Sequence, residues 1–203
     1  MARRKVEARR EEILATTVAQ IQRLGFANTR VADVAAALEI SPGLVFYHFT
    51  SKDRLLAAAL EHAVDSDLAR LELVLGRGRD AFDRLERLLR FYAPQGKAPG
   101  WTLWIDAWAS ALREPALRRT MRRLDVRWRD ALHSVIVDGV AQRAFSCADP
   151  HASAQRITAL LDGLGVQVTL GGSVSRRQMA SWVREAAAAE LGTDPDRLAR
   201  AGR

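Results

Sequence analysis

Three polar side chains near residue 50 have the types and spacing of a phosphate-binding group. Tyr47 and His48 are adjacent, and Lys52 follows four residues after the histidine. Upstream lie Ser41 and Pro42, a pair typical of a helix start, because serine caps free amides and proline needs no amide hydrogen bond there. The free amides and the positive dipole end at such a terminus attract anions. These residues therefore predict a surface that binds phosphate oxygens.

The elements around this group have the layout of a helix-turn-helix. A short helix predicted over residues 31–38 is followed, after three residues, by a second helix over residues 42–49. Ala35 lies where the two helices would cross, and its small side chain allows a close approach. The expected shared core consists of Val34, Leu38, Ile40, Val45 and Phe49. Spacing alone leaves open the alternative that two short helices merely pack in an ordinary helical core.

Apolar residues recur at spacings of three and four along the chain, and period-two alternation is not found. This pattern predicts an all-α fold of about nine helices. Gly25 is predicted to end the first helix, and Asp80, Asp149 and Ser175 are predicted to cap later ones. The Pro- and Gly-rich residues 94–100 form the clearest loop.

Composition limits the class of protein. An apolar fraction of 48% over 203 residues is that of a globular chain, which excludes disorder as the main state. The single cysteine, Cys147, cannot form an internal disulfide, and no apolar run has the length of a membrane span or the placement of a secretory signal. We therefore expect a cytoplasmic protein.

The net charge of +7 is concentrated in two stretches of the chain. Residues 1–60 carry nine basic and six acidic side chains, and residues 112–129 carry seven basic and two acidic ones. A basic balance suits a polyanionic partner. The second stretch surrounds an apolar stripe, so we expect it to coat the solvent side of a helix.

Signatures of catalysis, of metal binding and of cofactor binding are not recognised. The four histidines are scattered without cysteine or carboxylate clusters at metal-ligand spacing. A Gly-rich phosphate loop, a nucleophile elbow and a paired acid–base signature are also missing. The sequence therefore predicts a protein that is not an enzyme and needs no cofactor or metal.

Five segments within residues 9–60 match a known family in order and spacing: REEIL at 10–14, GFANT at 25–29, VADVA at 31–35, ISPGLVFYHF at 40–49 and SKDRLL at 51–56. In these segments the chain resembles the tetracycline-repressor-like (TetR) family of bacterial one-component regulators. The resemblance implies a three-helix helix-turn-helix domain, over residues 1–52, fused to a helical ligand-binding and dimerisation domain, over residues 53–192. We expect residues 193–203 to be a disordered tail.

The resemblance also implies that the second helix of the motif enters the major groove of DNA. The predicted DNA-binding residues, which contact phosphates or face base edges, are Thr29, Arg30, Ser41, Pro42, Gly43, Leu44, Tyr47, His48 and Lys52. The leading positions of this helix lack the Arg, Asn or Gln that read base edges. We therefore hypothesise that specificity depends on DNA shape, with Arg30 and residues 3–5 adding contacts.

Two positions depart from the family pattern. Glu39 stands at the turn position where the family usually has glycine, and a positive φ there would cost about 1 kcal/mol. Phe46 stands where a tyrosine is frequent, which removes one hydroxyl able to reach DNA. These departures motivate an alternative function, a ligand-binding or scaffold protein of the same fold with lost or ligand-independent DNA binding.

The second half of the chain resembles the C-terminal domain of BetI-type members of the family, which respond to betaine aldehyde. The residues that carry this resemblance are Trp104, Trp108, Pro115, Trp128, Gly139, Phe145, Asp149, Ala152, Ala154 and residues 162–164. A small-molecule effector is expected between the middle helices, with walls at Phe91, Trp101, Trp104, Trp108, Met121 and Trp128. Asp106 and His133 are candidate polar neighbours. The alternative for each aromatic residue is an ordinary core position.

The last two long helices, 150–170 and 176–191, are predicted to form a four-helix bundle with their copies in a second subunit. The predicted dimer interface consists of Ile157, Leu160, Leu161, Leu164, Val168, Met179, Trp182, Val183 and Ala186. Gly163 and Gly165 suit a close approach of helices in such an interface, and the alternative is packing within one chain. The sequence thus predicts a homodimeric regulator, a repressor at a pseudo-palindromic operator released by an inducer. An activator or a ligand-independent repressor is the rival within regulation.

Overall fold

The computed structural model describes residues 2–201, with side chains from residue 4 onward. Within these residues every regular element is a helix, which confirms the predicted fold class. The described part of the chain contains ten helices: α1 (Ala2–Leu24), α2 (Val31–Ala37), α3 (Pro42–Phe49), α4 (Lys52–Leu75), α5 (Ala81–Tyr92), α6 (Pro99–Ala111), α7 (Pro115–Ala141), α8 (Pro150–Thr169), α9 (Arg176–Glu190) and α10 (Pro195–Ala201).

The predicted helix boundaries follow from local capping chemistry. Gly25 adopts a φ of +82°, a conformation open to glycine at little cost, and ends α1. Asp80, Asp149 and Ser175 each accept a hydrogen bond from the backbone N–H three residues later, at 2.9, 3.0 and 3.2 Å. The loop predicted over residues 94–100 is shorter than expected, because α6 begins at Pro99.

The chain forms two compact units that differ from the division predicted at residue 52. Unit 1 comprises Met1–Asp67 and Thr102–Leu124, and unit 2 comprises Leu68–Trp101 and Asp125–Arg203. The middle segment 102–124 joins unit 1 through side chains: Asp106 accepts a hydrogen bond from Phe26, and Arg123 pairs with Glu61. These partners are distant in sequence, so spacing rules do not reveal them.

The helix-turn-helix core of unit 1 contains the expected residues. In it α2 contacts both α1 and α3. Val34, Val45 and Phe49 are buried, as is Ala35, whereas Leu38 and Ile40 are half-buried. The remaining apolar partners come from α1 and the loop after it: Ile13, Leu14, Ile21 and Phe26.

The end of the chain corrects the prediction of a disordered tail from residue 193. Residues 195–201 form α10, which contacts α5 and α9. Leu198 is fully buried, and the Arg197 guanidinium lies 4.3 Å from the centre of the Phe82 ring. Arg79 donates a hydrogen bond to the carbonyl of Ala201 at 2.7 Å. A helix of seven residues is marginal alone, so these tertiary contacts stabilise it. Its one buried leucine does not make a helical pattern of apolar residues, so the sequence did not predict it.

Candidate DNA-binding surface and effector site

The first turn of α3 is open and capped as predicted. Ser41 Oγ accepts a hydrogen bond from the backbone N–H of Leu44 at 3.2 Å, and Pro42 is the first helical residue. Ser41, Pro42 and Gly43 are exposed. A Cβ at Gly43 would lie 3.7 Å from Ser41 Oγ, an ordinary contact, so packing within the chain does not require glycine here.

The outer face of α3 carries aromatic and polar side chains. Tyr47 is 74% exposed, and the neighbouring His48 ring packs edge-on against it with centroids 5.3 Å apart. Phe46 is also exposed, at 45%. The sequence indicates only that Phe46 lacks the hydroxyl of a tyrosine. The structure shows in addition that its apolar ring is exposed on α3, as is that of Tyr47.

The residues before and after the motif have different roles. The side chain of Thr29 is buried, and its hydroxyl donates to the carbonyl of Gly25 at 2.7 Å, so it stabilises the loop and is not part of the exposed surface. Lys52 Nζ donates to the carbonyl of Ala27 at 3.1 Å. It thus fixes the α1–α2 loop while remaining half-exposed beside α3.

Arg30 precedes α2 and is exposed. Its backbone N–H donates to Asp33 Oδ2 at 3.0 Å, so the backbone at this helix start is fixed by Asp33. The guanidinium makes no side-chain capping hydrogen bond. The cationic group is therefore presented to solvent by a well-fixed backbone. The arm proposed over residues 3–5 lies partly outside the side chains that the structure describes.

The turn between α2 and α3 has the positive φ at Glu39 that was predicted to be unfavourable. Glu39 adopts a φ of +54°, in the left-handed region that favours glycine. The turn still closes, since the backbone N–H of Ile40 donates to the carbonyl of Ala35 at 3.0 Å. The motif is therefore complete despite the unfavourable residue.

Asp106 of α6 supports the loop that leads into the motif, a role not predicted from its sequence position. Its Oδ2 accepts a hydrogen bond from the backbone N–H of Phe26 at 2.6 Å. A Cβ at Gly25 would lie 3.1 Å from the same oxygen, so glycine permits this approach. Asp106 was expected to be a polar neighbour of the effector, but its carboxylate is committed to this loop.

Unit 2 contains a cluster of aromatic rings centred on Tyr92. The Tyr92 centroid lies 5.3 Å from that of Trp128 and 5.9 Å from that of Trp101, both edge-on, and Phe91 lies 6.3 Å from Trp128. Trp101 Nε1 donates to the backbone carbonyl of Tyr92 at 2.8 Å. The structure thus brings together three predicted wall residues, Phe91, Trp101 and Trp128, around a tyrosine that the prediction left out.

A partly buried carboxyl, that of Asp162, is bonded to this aromatic cluster. The hydroxyl of Tyr92 donates to Asp162 Oδ1 at 2.7 Å. Burial raises the pKa of Asp162 to about 6, and the nearby negative charge of Asp125 acts in the same direction, opposed by the tyrosine hydrogen bond and by Arg129. Burial and the Asp162 charge also raise the pKa of Tyr92 well above its usual value. In the sequence, Asp162 stands out as a carboxyl among the apolar residues of α8, and this feature could have indicated the site.

Asp125 adds a second carboxyl to the surroundings of Tyr92. Burial raises the pKa of Asp125, and the positive charge of Arg129 opposes that rise. Two desolvated carboxyls beside aromatic faces make an environment that is favourable for a cation.

Gly165 explains how Trp101 fits against α8. A Cβ at this position would lie 2.1 Å from the Trp101 ring, which is not possible without moving the indole. Gly165 therefore serves packing within the chain, which was the alternative to a role at the dimer interface. Gly163 differs, because a Cβ there would have no atom within 4 Å.

The other predicted wall residues belong to unit 1. Trp104 and Trp108 pack against each other with centroids 5.8 Å apart, and Met121 is buried. His133, the other candidate polar neighbour, lies in unit 2 with its ring 6.0 Å from that of His151. The predicted wall residues thus divide between the two units, and those of unit 2 lie in the Tyr92 cluster, close to the partly buried carboxyls of Asp125 and Asp162.

The predicted dimer residues on α8 and α9 also fall into two groups. Ile157, Leu161, Met179 and Val183 are buried within the chain, so they belong to the core of unit 2. The remaining five, Leu160, Leu164, Val168, Trp182 and Ala186, keep part of their surface exposed. Trp182 is 44% exposed, which is unusual for so large an apolar side chain. This outer face of α8 and α9, with Gly163 in its middle, is called the α8–α9 face below.

Among the described residues no helix is both long and apolar enough to cross a bilayer. The same residues contain no group of three or more His, Cys, Asp or Glu side chains arranged to hold a metal ion.

The described residues form only helices, and α2 and α3 form a helix-turn-helix in which α3 is capped and exposed. This arrangement is typical of helix-turn-helix DNA-binding proteins. Comparison with known families agrees: residues 13–59 match the tetR family of bacterial regulatory proteins, and residues 81–192 match the C-terminal domain of BetI-type transcriptional repressors. The chain belongs to the TetR family, with a regulatory domain of the BetI type. It is therefore a DNA-binding transcriptional regulator.

Individual relatives show the same likeness over most of the chain. The HTH-type transcriptional regulator BetI of Paraburkholderia xenovorans is 31% identical over 82% of this chain and 84% of its own length. A crystal structure of a TetR-family regulator from Rhodococcus sp. is 31% identical, with a TM-score of 0.80 over 90% of this chain and 98% of that chain. A regulator from Saccharomonospora viridis in complex with choline is 31% identical, with a TM-score of 0.77 over 88% and 95% of the two chains.

Proposed function

We propose that this protein is a cytoplasmic repressor that binds a pseudo-palindromic operator as a homodimer and is released by a small quaternary ammonium cation. Three surfaces carry the function. The outer side of α3 contacts DNA, the α8–α9 face joins two subunits, and the Tyr92 cluster binds the effector. The observation that carries the effector assignment is the partly buried Asp162 carboxyl, which accepts a hydrogen bond from Tyr92, the residue at the centre of the aromatic cluster.

In this proposal phosphate contacts position α3 in the major groove. Tyr47, His48 and Lys52 supply a hydroxyl, an imidazole and an ammonium near the helix, and the exposed Arg30 adds a guanidinium. Such groups fix the register on the duplex but do not distinguish sequences by themselves. The contribution of the two cationic groups, Lys52 and Arg30, depends on salt, because each phosphate that they neutralise releases counterions.

Sequence discrimination then depends on apolar contacts and DNA shape. The leading turn of α3 offers Pro42, Gly43 and Leu44, together with the exposed ring of Phe46. Apolar side chains can contact thymine methyls. Gly43, which packing within the chain does not require, allows the backbone to approach a base edge closely. Arg30 is suited to a narrow minor groove, where the potential is most negative.

Dimerisation through the α8–α9 face is supported by the surface that one chain leaves exposed. Leu160, Leu164 and Trp182 are large apolar residues with part of their surface open, and Gly163 has free space above it. Such a patch is typical of a subunit interface. Two-fold pairing places two copies of α3 on half-sites about 34–36 Å apart, one helical turn of DNA.

The effector site suits a permanent cation of small size. Aromatic faces attract cations by about 0.5–2 kcal/mol each, and the carboxyls of Asp162 and Asp125 supply the counter-charge. The relative from Saccharomonospora viridis was crystallised with choline. We therefore take choline as the reference ligand. Its binding lowers operator affinity by the ratio of its affinities for the DNA-free and DNA-bound arrangements.

The DNA part of the proposal is tested with a fluorescent duplex that flanks the regulator's own gene. We expect the dimer to protect a pseudo-palindrome in a footprint and to lose affinity linearly in log[salt]. The double variant Tyr47→Phe, His48→Ala should weaken binding to all sequences, because it removes two hydrogen-bonding groups near the phosphates. Arg127→Ala, an exposed arginine of α7 in unit 2, is the matched control. Failure to bind any such duplex at low salt would favour the scaffold alternative.

The effector part is tested by titrating choline into the protein–operator complex. Choline should release the DNA, whereas 3,3-dimethylbutan-1-ol, its neutral isostere of the same shape, should need at least about tenfold more, because the cation–π and carboxylate attractions are lost. Asp162→Ala should bind the operator normally but respond weakly to choline. Equal release by both compounds would contradict a cation site.

A further inference from the structure

The indole N–H of Trp128 is a buried donor without an acceptor. Trp128 is 8% exposed, and its Nε1 has no hydrogen-bond partner among the described residues. Buried polar groups in proteins are nearly always paired, because an unpaired donor has lost its hydrogen bonds to water. An unpaired donor at a ligand-binding site is therefore a sign of an acceptor that arrives with the ligand.

The other side-chain donors of the same aromatic cluster are already engaged. Trp101 Nε1 donates to the carbonyl of Tyr92, and the Tyr92 hydroxyl donates to Asp162. Phe91 has no polar atom. Within the cluster of Phe91, Tyr92, Trp101 and Trp128, the Trp128 N–H is thus the one donor that the described residues leave unsatisfied.

We propose that Trp128 Nε1 donates a hydrogen bond to an oxygen of the effector, so that the site selects ammonium cations carrying a hydroxyl or carbonyl oxygen over purely alkyl ones. This inference rests on the proposed function, because it assigns a second contact at the same site. The Trp128 centroid lies 5.3 Å from that of Tyr92, whose hydroxyl binds Asp162. The indole and the carboxyl thus belong to the same cluster, each in contact with Tyr92.

The chemistry of the indole makes this contact selective. An indole N–H is a donor only, so it is satisfied by an oxygen acceptor and by no alkyl group. A site that must bind a polar group rejects the analogue lacking it more strongly than an apolar pocket rejects an extra methylene. The two carboxyls near Tyr92 disfavour a carboxylate on the ligand, which leaves a hydroxyl or a carbonyl as the matching oxygen.

Calorimetric titration of the full chain with two cations tests the assignment. Choline and n-propyltrimethylammonium have nearly the same shape and charge, but a methyl group replaces the hydroxyl in the second. We expect the wild-type protein to bind choline about tenfold more tightly. Trp128→Phe keeps an aromatic face and removes the N–H, so it should weaken choline about tenfold and leave n-propyltrimethylammonium within about twofold.

Trp101→Phe is the matched control, because that indole N–H is already bonded to the protein. It should change the affinities of both cations by the same factor. Equal wild-type affinities for the two cations, or equal weakening of both by Trp128→Phe, would overturn the inference while leaving the cation site standing. Absence of binding of either cation to wild-type protein would overturn the proposed effector and this inference with it. The wild-type comparison requires no variant, so a folding defect in Trp128→Phe does not remove the test.

Discussion

At the scale of single residues, Asp162 combines a structural and a functional property. Its carboxyl is desolvated in the aromatic cluster of unit 2, which raises its pKa to about 6. A raised carboxyl pKa means that the folded protein holds this proton more tightly than the unfolded chain does. Stability contributed by the neutral form is therefore present at low pH and is lost as the pH rises through about 6.

This pKa predicts the pH dependence of effector binding. A bound cation favours the ionised carboxylate, so below pH 6 binding must first release the proton of Asp162. At pH 5 the affinity for choline should be about tenfold weaker than at pH 7.5. Choline keeps its charge across this range, so calorimetry at the two pH values reports the carboxyls of the protein, Asp162 and Asp125.

The matched variant for that measurement is Asp162→Asn. It should bind choline weakly, and with a smaller change between the two pH values than the wild-type protein, because the amide does not titrate and only Asp125 remains. An unchanged or stronger affinity of the wild-type protein at pH 5 would show that Asp162 does not interact with the cation.

Glu39 is the second residue with a measurable consequence. Its φ of +54° carries strain for a residue with a Cβ, and glycine would remove about 1–2 kcal/mol of it. Part of that gain is offset because glycine is freer in the unfolded chain. We expect Glu39→Gly to raise the free energy of unfolding by about 0.5–1 kcal/mol, measured by urea denaturation with far-UV circular dichroism.

The control for Glu39 is Ala36→Gly, an exposed position in α2 with ordinary helical geometry. This change should lower the free energy of unfolding by about 0.5–1 kcal/mol. The opposite signs at two neighbouring positions distinguish backbone strain from a general effect of glycine. A loss of stability in Glu39→Gly would mean that the turn carries no strain worth relieving.

At the scale of elements, α6 supports the helix-turn-helix through one carboxylate. Asp106 accepts the hydrogen bond of the Phe26 amide, and Phe26 itself is buried under α1. The loop between α1 and α2 is also held by Thr29 and Lys52. The DNA contacts proposed for α3 thus also depend on Asp106 and Thr29, whose side chains hold this loop.

Asp106→Ala should loosen this loop. The Phe26 amide would lose its acceptor in a partly buried place, at a cost of about 1–3 kcal/mol. We expect faster hydrogen exchange of that amide, lower stability of unit 1 and weaker operator binding. Asp106→Asn keeps an acceptor oxygen and should retain most of the protection. Unchanged exchange at Phe26 in the alanine variant would show that the hydrogen bond is not maintained in solution.

The elements also show how far the sequence could go. The bounds of α2 and α3, the cap of α3 and the capping of α5, α8 and α9 were predicted correctly, because capping depends on residues within one turn. α10 was missed, since its stability comes from the buried Leu198 and from Arg197 over Phe82. A local pattern cannot report contacts made with helices a hundred residues away.

At the scale of the whole molecule, the distribution of charge separates two kinds of basic surface. The arginines of α7 that were predicted to lie on a solvent face are exposed at positions 118, 119, 122, 123 and 127, as is Arg113 just before the helix. Arg129 is half-buried instead, and its charge acts on Asp125 and Asp162. The high local charge of this region therefore coats a helix, with one member contributing to the electrostatics of the Tyr92 cluster.

Dimer assembly is the property of the whole molecule on which the proposed operator binding depends. Gly163→Arg places a long cation in the middle of the α8–α9 face, where the chain itself has free space. The variant should therefore fold as a monomer in sedimentation velocity. Its affinity for a two-half-site operator should fall by at least about a hundredfold, because two linked contacts become one.

Leu73→Arg is the control for this change, since Leu73 is an exposed leucine of α4. It should remain a dimer with normal operator affinity. A Gly163→Arg protein that stays dimeric would place the subunit interface elsewhere.

The sequence by itself determined the all-helical fold, the helix-turn-helix, its cap and the family. These properties reside in contiguous segments, where spacing and local capping act within a few residues. Tertiary structure alone decided that Asp106 holds the Phe26 loop, that Gly165 makes room for Trp101 and that Tyr92 binds Asp162. Each of these contacts joins residues about 60 to 80 positions apart in the chain. Burial raises the pKa of Asp162 and leaves the Trp128 N–H without an acceptor, and it arises only when the helices pack together.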